Sequence, residues 1–195
     1  ILLPQYGNFF TALRYGSFQV ATIVSTTGLI TADFALWPVA AQMILLLLML
    51  IGSCAGSTAG DIKVVRFALV GKAVKREIGR TVQPRRVQMV RFEGRGVDNH
   101  VLYQIAVFCC AYLSLVFVGT FLISLEGKYD LFSHFTAALT CVSNVGPGLN
   151  ALGPTANFSG YGPFAKYVLS LLMLCGRLEL FPILVLFHPG VWRKC

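Results

Sequence analysis

Charge is scarce in this chain. Only 12% of its 195 residues are charged, and only 8 are acidic. A water-soluble domain carries about 25%. Hydrophobic residues make up 56%, and the mean hydropathy is +0.71, which places the chain in a membrane class. Catalytic constellations are missing too. No Ser/His/Asp arrangement and no nucleotide-binding Gly-rich loop occurs, so neither covalent chemistry nor an organic cofactor is expected. His100, His134 and His188 show no metal-ligand spacing with one another or with the cysteines. The six cysteines form no disulfide framework. Cys54, Cys109, Cys110, Cys141 and Cys175 lie in apolar or re-entrant stretches and Cys195 is last, so they read as small buried side chains. There is no initiating Met and no signal peptide; Ile1 reads as a point inside a longer protein.

The basic residues that are present are concentrated. Lys63, Arg66, Lys72, Lys75, Arg76, Arg80, Arg85, Arg86, Arg91 and Arg95 fall between Asp61 and Asp98. The positive-inside rule makes that stretch cytoplasmic. The net charge of +8 is therefore a topology signal. A nucleic-acid surface is the weaker reading, because the segment joins two apolar spans and has few aromatics for base stacking.

A short pattern occurs twice. Thr22-x-Val24-Ser25-x-x-Gly28 returns as Thr140-x-Val142-Ser143-x-x-Gly146. Each copy ends a short apolar stretch and is followed by a longer one. A helix that stops at a polar, Gly-containing strand and yields to another apolar helix is a re-entrant loop. Backbone carbonyls at membrane depth are tolerated only where they line a wet cavity, and such carbonyls bind bare cations. Gly28 and Gly146 can take positive φ, which lets successive carbonyls face one way. Thr22 and Ser25 are expected to be helix-end hydrogen bonders rather than ligands.

The rest of the chain fits two units of one design. The first, residues 1–75, has a partial first helix, a short helix over 9–24, a polar turn over 25–31, and an inner helix over 35–75 that breaks at Gly52-Ser-Cys-Ala-Gly56-Ser-Thr-Ala-Gly60. Asp61 is the expected N-cap where helix resumes. A basic loop covers 76–98. The second unit, residues 99–195, has an outer helix over 101–125, a short helix over 131–140, a polar turn over 141–148, and an inner helix over 164–187. The short helices cannot cross ~30 Å of hydrocarbon, which takes ~20 residues. Gly60 lies 32 residues after Gly28 and Gly176 lies 30 after Gly146, so the two inner helices are expected to be disturbed at matching depth. The fold class is an all-α polytopic membrane protein.

Three stretches carry a family resemblance: Ser25-Thr-Thr-Gly-Leu-Ile-Thr-Ala-Asp33, the loop from Gly52 to Arg66, and Ser143-Asn-Val-Gly-Pro-Gly-Leu149. They resemble the bacterial Trk/Ktr/HKT potassium-uptake family, specifically its TrkH-type subunits. The resemblance implies helix–pore helix–filter loop–helix units around a pseudo-fourfold pore. This chain matches the third and fourth units, the C-terminal half, with an N-terminal half missing. It implies potassium as the transported ion, with Thr26, Thr27, Gly28, Asn144, Val145 and Gly146 offering backbone carbonyls. It implies a gate at Gly52, Gly56, Ser57, Thr58 and Gly60, held with the help of Arg177. It also implies a homodimer, multi-pass in the bacterial inner membrane, with a cytoplasmic nucleotide-binding regulatory subunit of the TrkA type. The sequence departs from the family at Leu29-Ile30, where Phe-Thr is usual, and at Asp61, where Gly is usual.

Arg177 lies thirteen residues past Phe164 in an apolar run. A charge at that depth costs ~2.5–3.5 kcal/mol on insertion scales and calls for a partner or a wet cavity. Glu179 sits about 200° further round a helix, so it is a poor partner. The broken helix also suits a secondary solute or cation symporter. The basic loop also suits a non-conducting membrane scaffold.

Overall fold

A computed structural model describes residues 1–52, 62–83, 89–92, 94–178, 182 and 185. Helix dominates. A single turn, α1 (Leu3–Tyr6), leads into α2 (Phe9–Val24). A 3-10 turn at Phe34–Leu36 precedes α3 (Val39–Leu50). Next come α4 (Val64–Val82), α5 (Asn99–Ser124), α6 (Leu131–Ser143) and α7 (Pro163–Arg177).

Helix α5 has 26 residues, about 39 Å at 1.5 Å per residue. Among the described residues it alone is long and apolar enough to cross a membrane. Tyr103, Phe117, Val118 and Phe121 stand exposed along it. Exposed apolar side chains on that scale need a solvent other than water. The short helices pack inside: α6 lies against α5, α7 and α3, and α2 lies against α3. The main core runs through Leu45, Met49, Tyr112, Val116, Leu139, Val142, Leu169 and Leu172.

Several boundaries differ from the sequence expectation. Helix α3 begins at Val39, not residue 35, because Pro38 stands at its N-cap in an extended conformation and disfavours α geometry in the residue before it. It ends at Leu50. Helix resumes at Val64 rather than Asp61, after a two-residue strand. That strand, β2 (Ile62–Lys63), pairs in parallel with β1 (Ile51–Gly52), Ile51 beside Ile62 and Gly52 beside Lys63. The two ends of the intervening segment therefore meet. That segment carries Gly56, Ser57, Thr58, Gly60 and Asp61, and lies outside the described residues.

Helix α4 runs on to Val82, well into the expected basic loop. Its apolar side packs Val65, Leu69 and Ala73 against Val90, Leu102 and Ile105, so its cations occupy a solvated face rather than a loop. It stops where Gln83 precedes Pro84. Two short strands, β3 (Arg91–Phe92) and β4 (Arg95–Gly96), then pair antiparallel around Gly94. The outer helix starts at Asn99, two residues early, because the Asp98 carboxylate accepts from the His100 amide and caps it. Helix α6 continues three residues beyond 140, for a reason found in its cap. Of the inner helix expected over 164–187, α7 covers Pro163–Arg177; Glu179 lies outside the described residues.

Candidate functional site

The two copies of the repeated pattern end their helices identically. After α2, the Thr26 N–H donates to the Ile23 carbonyl at 3.0 Å and the Thr27 N–H to the Thr22 carbonyl at 2.9 Å. After α6, the Asn144 N–H donates to Cys141 at 3.3 Å and the Val145 N–H to Thr140 at 3.1 Å. These are paired 5→2 and 6→1 bonds around one left-handed residue, a Schellman ending. The left-handed residues are Thr26 at φ 52° and Asn144 at φ 57°. Asn adopts this region readily, whereas for a β-branched Thr it is an outlier. Such strain concentrates at functional sites. The pattern's Val and Ser therefore belong to the last helical turn, and only residues 26–28 and 144–146 leave it.

Two residues on, φ turns positive again, at Gly28 (74°) and Gly146 (109°). The hydrogen bonds fix where the carbonyls point. In a trans peptide the N–H and C=O of one unit point in opposite directions. The Val145 N–H points back at Thr140, so the Asn144 carbonyl points away from α6. The Gly146 N–H also points back, to Thr140 Oγ1 at 3.0 Å, so the Val145 carbonyl points away as well. It faces the other copy: a Cβ placed on Gly28 would collide with the Val145 carbonyl oxygen. The two turns thus meet backbone to backbone, with glycine required at the contact. Val145 is buried while Gly146 is exposed.

The turns are also tied to the inner helices. Ser143 Oγ donates to the Met49 carbonyl at 2.9 Å. Its single hydrogen is then used, so the Tyr112 hydroxyl, 2.7 Å away, donates to it. Met49 lies in the last turn of α3, where carbonyls lose their helical partners, and Ser143 satisfies one of them. Asn144 Nδ2 donates to the Met173 carbonyl of α7 at 3.2 Å. Sequence reasoning missed these contacts, although a signal existed: Leu47-Leu-Met49-Leu-x-Gly52 returns as Leu171-Leu-Met173-Leu-x-Gly176. This second repeat sets Gly52, rather than Gly60, opposite Gly176. A Cβ on Gly176 would collide with the Val142 carbonyl oxygen, so the close approach of α7 to the end of α6 needs that glycine.

Arg177 is exposed in the last turn of α7, where a cation complements the helix dipole. Its expected partners around Ser57–Asp61 lie outside the described residues. Towards the other end of α5 from Glu126, the Arg66 guanidinium of α4 stacks on the Phe108 ring, 4.1 Å from its centroid. Just past the end of α5, Glu126 accepts from the Gly162 amide at 2.7 Å and the Ala165 amide at 2.9 Å. Those two bonds, foremost the one from Ala165, hold its carboxyl below the usual range. Asp130 is likewise lowered, chiefly by the Ser133 hydroxyl.

Residues 8–193 match the family described as TrkH, cation transport protein. The chain belongs to this family. The Trk system potassium uptake protein TrkH of Salmonella typhimurium is 38% identical over 189 residues, covering 97% of this chain and 38% of that protein. The Trk system potassium uptake protein TrkG of Escherichia coli K12 is 33% identical over 178 residues, covering 91% of this chain and 36% of that protein. The crystal structure of the potassium transporter TrkH from Vibrio parahaemolyticus superposes with a TM-score of 0.87 at 34% identity, covering 98% of this chain and 41% of that one. The chain thus spans about two fifths of the length of these relatives. The family and the all-α membrane fold are those the sequence motifs pointed to.

Proposed function

We propose that this chain forms part of a potassium-uptake pathway, and that residues 26–28 and 144–146 are two strands of its ion-selective filter. One observation carries the reading. Both strands alternate positive φ at the same two positions, and in the second the Asn144 and Val145 carbonyls turn away from their helix, that of Val145 towards the other strand. A dehydrated cation needs several oxygens at once, and such strands supply them without a titrating group. The helices α2 and α6 direct their partially negative C-terminal ends at the same place. The names of the relatives favour K⁺ as the ion.

On this reading the two units are the third and fourth of a pseudo-fourfold ring, completed by chain outside this sequence. The whole protein is a homodimer in the bacterial inner membrane, and it transports ions without catalytic chemistry. The cationic face of α4 is the candidate contact for a cytoplasmic nucleotide-binding subunit of the TrkA type. The segment Gly52–Gly60, pinned at its base by the β1–β2 pair, is the gate, and Arg177 helps to hold it.

Rb⁺ uptake into proteoliposomes holding the full-length protein tests both parts. Gly28→Ser and Gly146→Ser should let Na⁺ compete more strongly, since a side chain disfavours the required φ; unchanged competition in both removes these glycines from the filter. Arg177→Ala should raise flux, most of all without the regulatory subunit. Equal or lower flux in folded protein makes the arginine a structural strut.

A further inference from the structure

Thr140 contacts three consecutive residues, Val145, Gly146 and Pro147, and is fully buried. Its carbonyl accepts the Val145 N–H at 3.1 Å. Its hydroxyl accepts the Gly146 N–H at 3.0 Å and donates to the Pro147 carbonyl at 3.0 Å. One hydroxyl offers one hydrogen and two lone pairs, so both bonds form together. They orient two peptide units in opposite senses. The Val145–Gly146 unit has its N–H pulled towards α6 and its carbonyl pushed towards the other strand. The Pro147 carbonyl is drawn back to the helix and taken out of the ion's reach.

We infer that the Thr140 hydroxyl is a specificity-determining latch: it fixes the Val145 carbonyl as an ion ligand and marks Pro147 as the place where the run of facing carbonyls ends. Thr140 is a positioning residue, because it acts through Val145 and Gly146 and does not itself reach the axis. The inference rests on the filter reading above and adds to it. The first copy supplies an internal contrast. The Thr22 carbonyl holds the Thr27 N–H as Thr140 holds Val145, but Thr22 Oγ1 is buried and has no hydrogen-bond partner among the described residues. The second peptide of that strand is not latched in the same way. The two strands therefore differ in stiffness despite a shared backbone shape, and selectivity leans on the fourth unit.

The test uses the full-length transporter in proteoliposomes, with Rb⁺ uptake competed by Na⁺. Thr140→Val keeps the shape and removes the hydroxyl. It breaks both bonds and should retain Rb⁺ flux while Na⁺ competition strengthens by about three- to tenfold, the range expected if the net worth of one of the two falls on selectivity. Thr140→Ser restores the hydroxyl and should return the ratio to that of the wild type. Thr22→Val should move the ratio less than Thr140→Val does. Gly28→Ser runs in parallel. If it shifts the ratio and Thr140→Val does not, the latch is overturned and the filter stands. If neither shifts it, the filter reading falls and the latch with it. A Thr140→Val protein that fails to fold where Thr140→Ser folds makes the hydroxyl a folding element, which also overturns its assignment to selectivity.

Discussion

Helices α2 and α6 end in the same pair of cap bonds, yet their surroundings share little. Helix α2 buries Ala12, Gln19, Thr22 and Ile23. Helix α6 buries every residue from Thr136 to Ser143. The contrast separates what the repeated pattern encodes locally from what needs neighbours. The left-handed turn and the returning Gly are present in both copies, so the backbone shape belongs to the motif itself. The tethers are not shared. Ser143 reaches the Met49 carbonyl and Tyr112, whereas its counterpart Ser25 is exposed and turns back to the Ala21 carbonyl at 2.7 Å. The filter proposed above needs both layers. The first sets where carbonyls point, and the second keeps them there when an ion passes.

The glycine pair is the sharpest way to break this comparison, and its variants carry the largest expected effect. Gly28 meets the Val145 carbonyl of the neighbouring strand, while a Cβ on Gly146 meets nothing within 4 Å. In a closed ring Gly146 faces the next unit's strand as Gly28 faces Val145. Gly146→Ser should then impair selectivity in the full-length protein as much as Gly28→Ser. A clearly milder Gly146→Ser would mean that the ring does not close around Gly146 with that symmetry.

The serines come next. Ser143→Ala leaves the carbonyl of the fully buried Met49, in the last turn of α3, without its side-chain donor, which costs about 1–3 kcal/mol. Ser25→Ala removes short-range bonds to the Ala21 carbonyl and the Thr27 hydroxyl on an exposed residue and should stay within about 0.5 kcal/mol. Thermal or denaturant unfolding of the two variants, in the full-length protein in detergent, measures the gap. Equal destabilisation would show that the Ser143 tether adds nothing beyond helix-end hydrogen bonding. Because Met49 precedes the Gly52–Gly60 segment, Ser143→Ala should also change Rb⁺ flux through the proposed gate, and Ser25→Ala should not.

Much of this was legible in the residues, and the rest had definite physical causes. The duplicated Thr-x-Val-Ser-x-x-Gly pattern located both turns, since a left-handed cap and a second positive φ demand those residue types. Ser25 hydrogen-bonds at its helix end as expected, whereas the Thr22 hydroxyl, expected to do the same, has no partner among the described residues. What periodicity could not give was the extent of α4. Its run of cations reads as a loop until the apolar stripe Val65, Leu69, Ala73 is paired with Val90 and Leu102. The start of α3 was missed because the uncharged run from Ala35 hides the stop imposed by Pro38. Pairing Gly60 with Gly176 followed distance from the filter glycine, whereas the Leu-Leu-Met-Leu-x-Gly match pairs Gly52 with Gly176. The unequal lengths of the outer loops shift one count against the other. The bond from Ser143 to Met49 spans 94 residues, and only the repeated Leu-Leu-Met-Leu-x-Gly run hints at it.

The smallest effect lies where α3 and α7 begin, and here too the two units differ. The start of α3 is held by the neutral Gln42 amide, which donates to the carbonyls of Ala35 and Trp37 at 2.8 and 2.9 Å. The start of α7 is held by the Glu126 carboxylate, which accepts from Gly162 and Ala165 and complements the positive end of the helix. Those bonds favour the ionised form, so the folded pKa lies below the ordinary value of 4.5. A depressed carboxylate contributes stability that is complete above its unfolded pKa and is lost as pH falls through the folded one. Acid should therefore loosen the start of α7 before that of α3. Glu126→Gln should lower the unfolding temperature slightly near neutral pH, and its curve should converge with that of the wild type as the pH drops below 4.5. Curves that stay parallel across that range would mean the carboxylate's charge contributes nothing to the cap, leaving its two hydrogen bonds as the whole of its role.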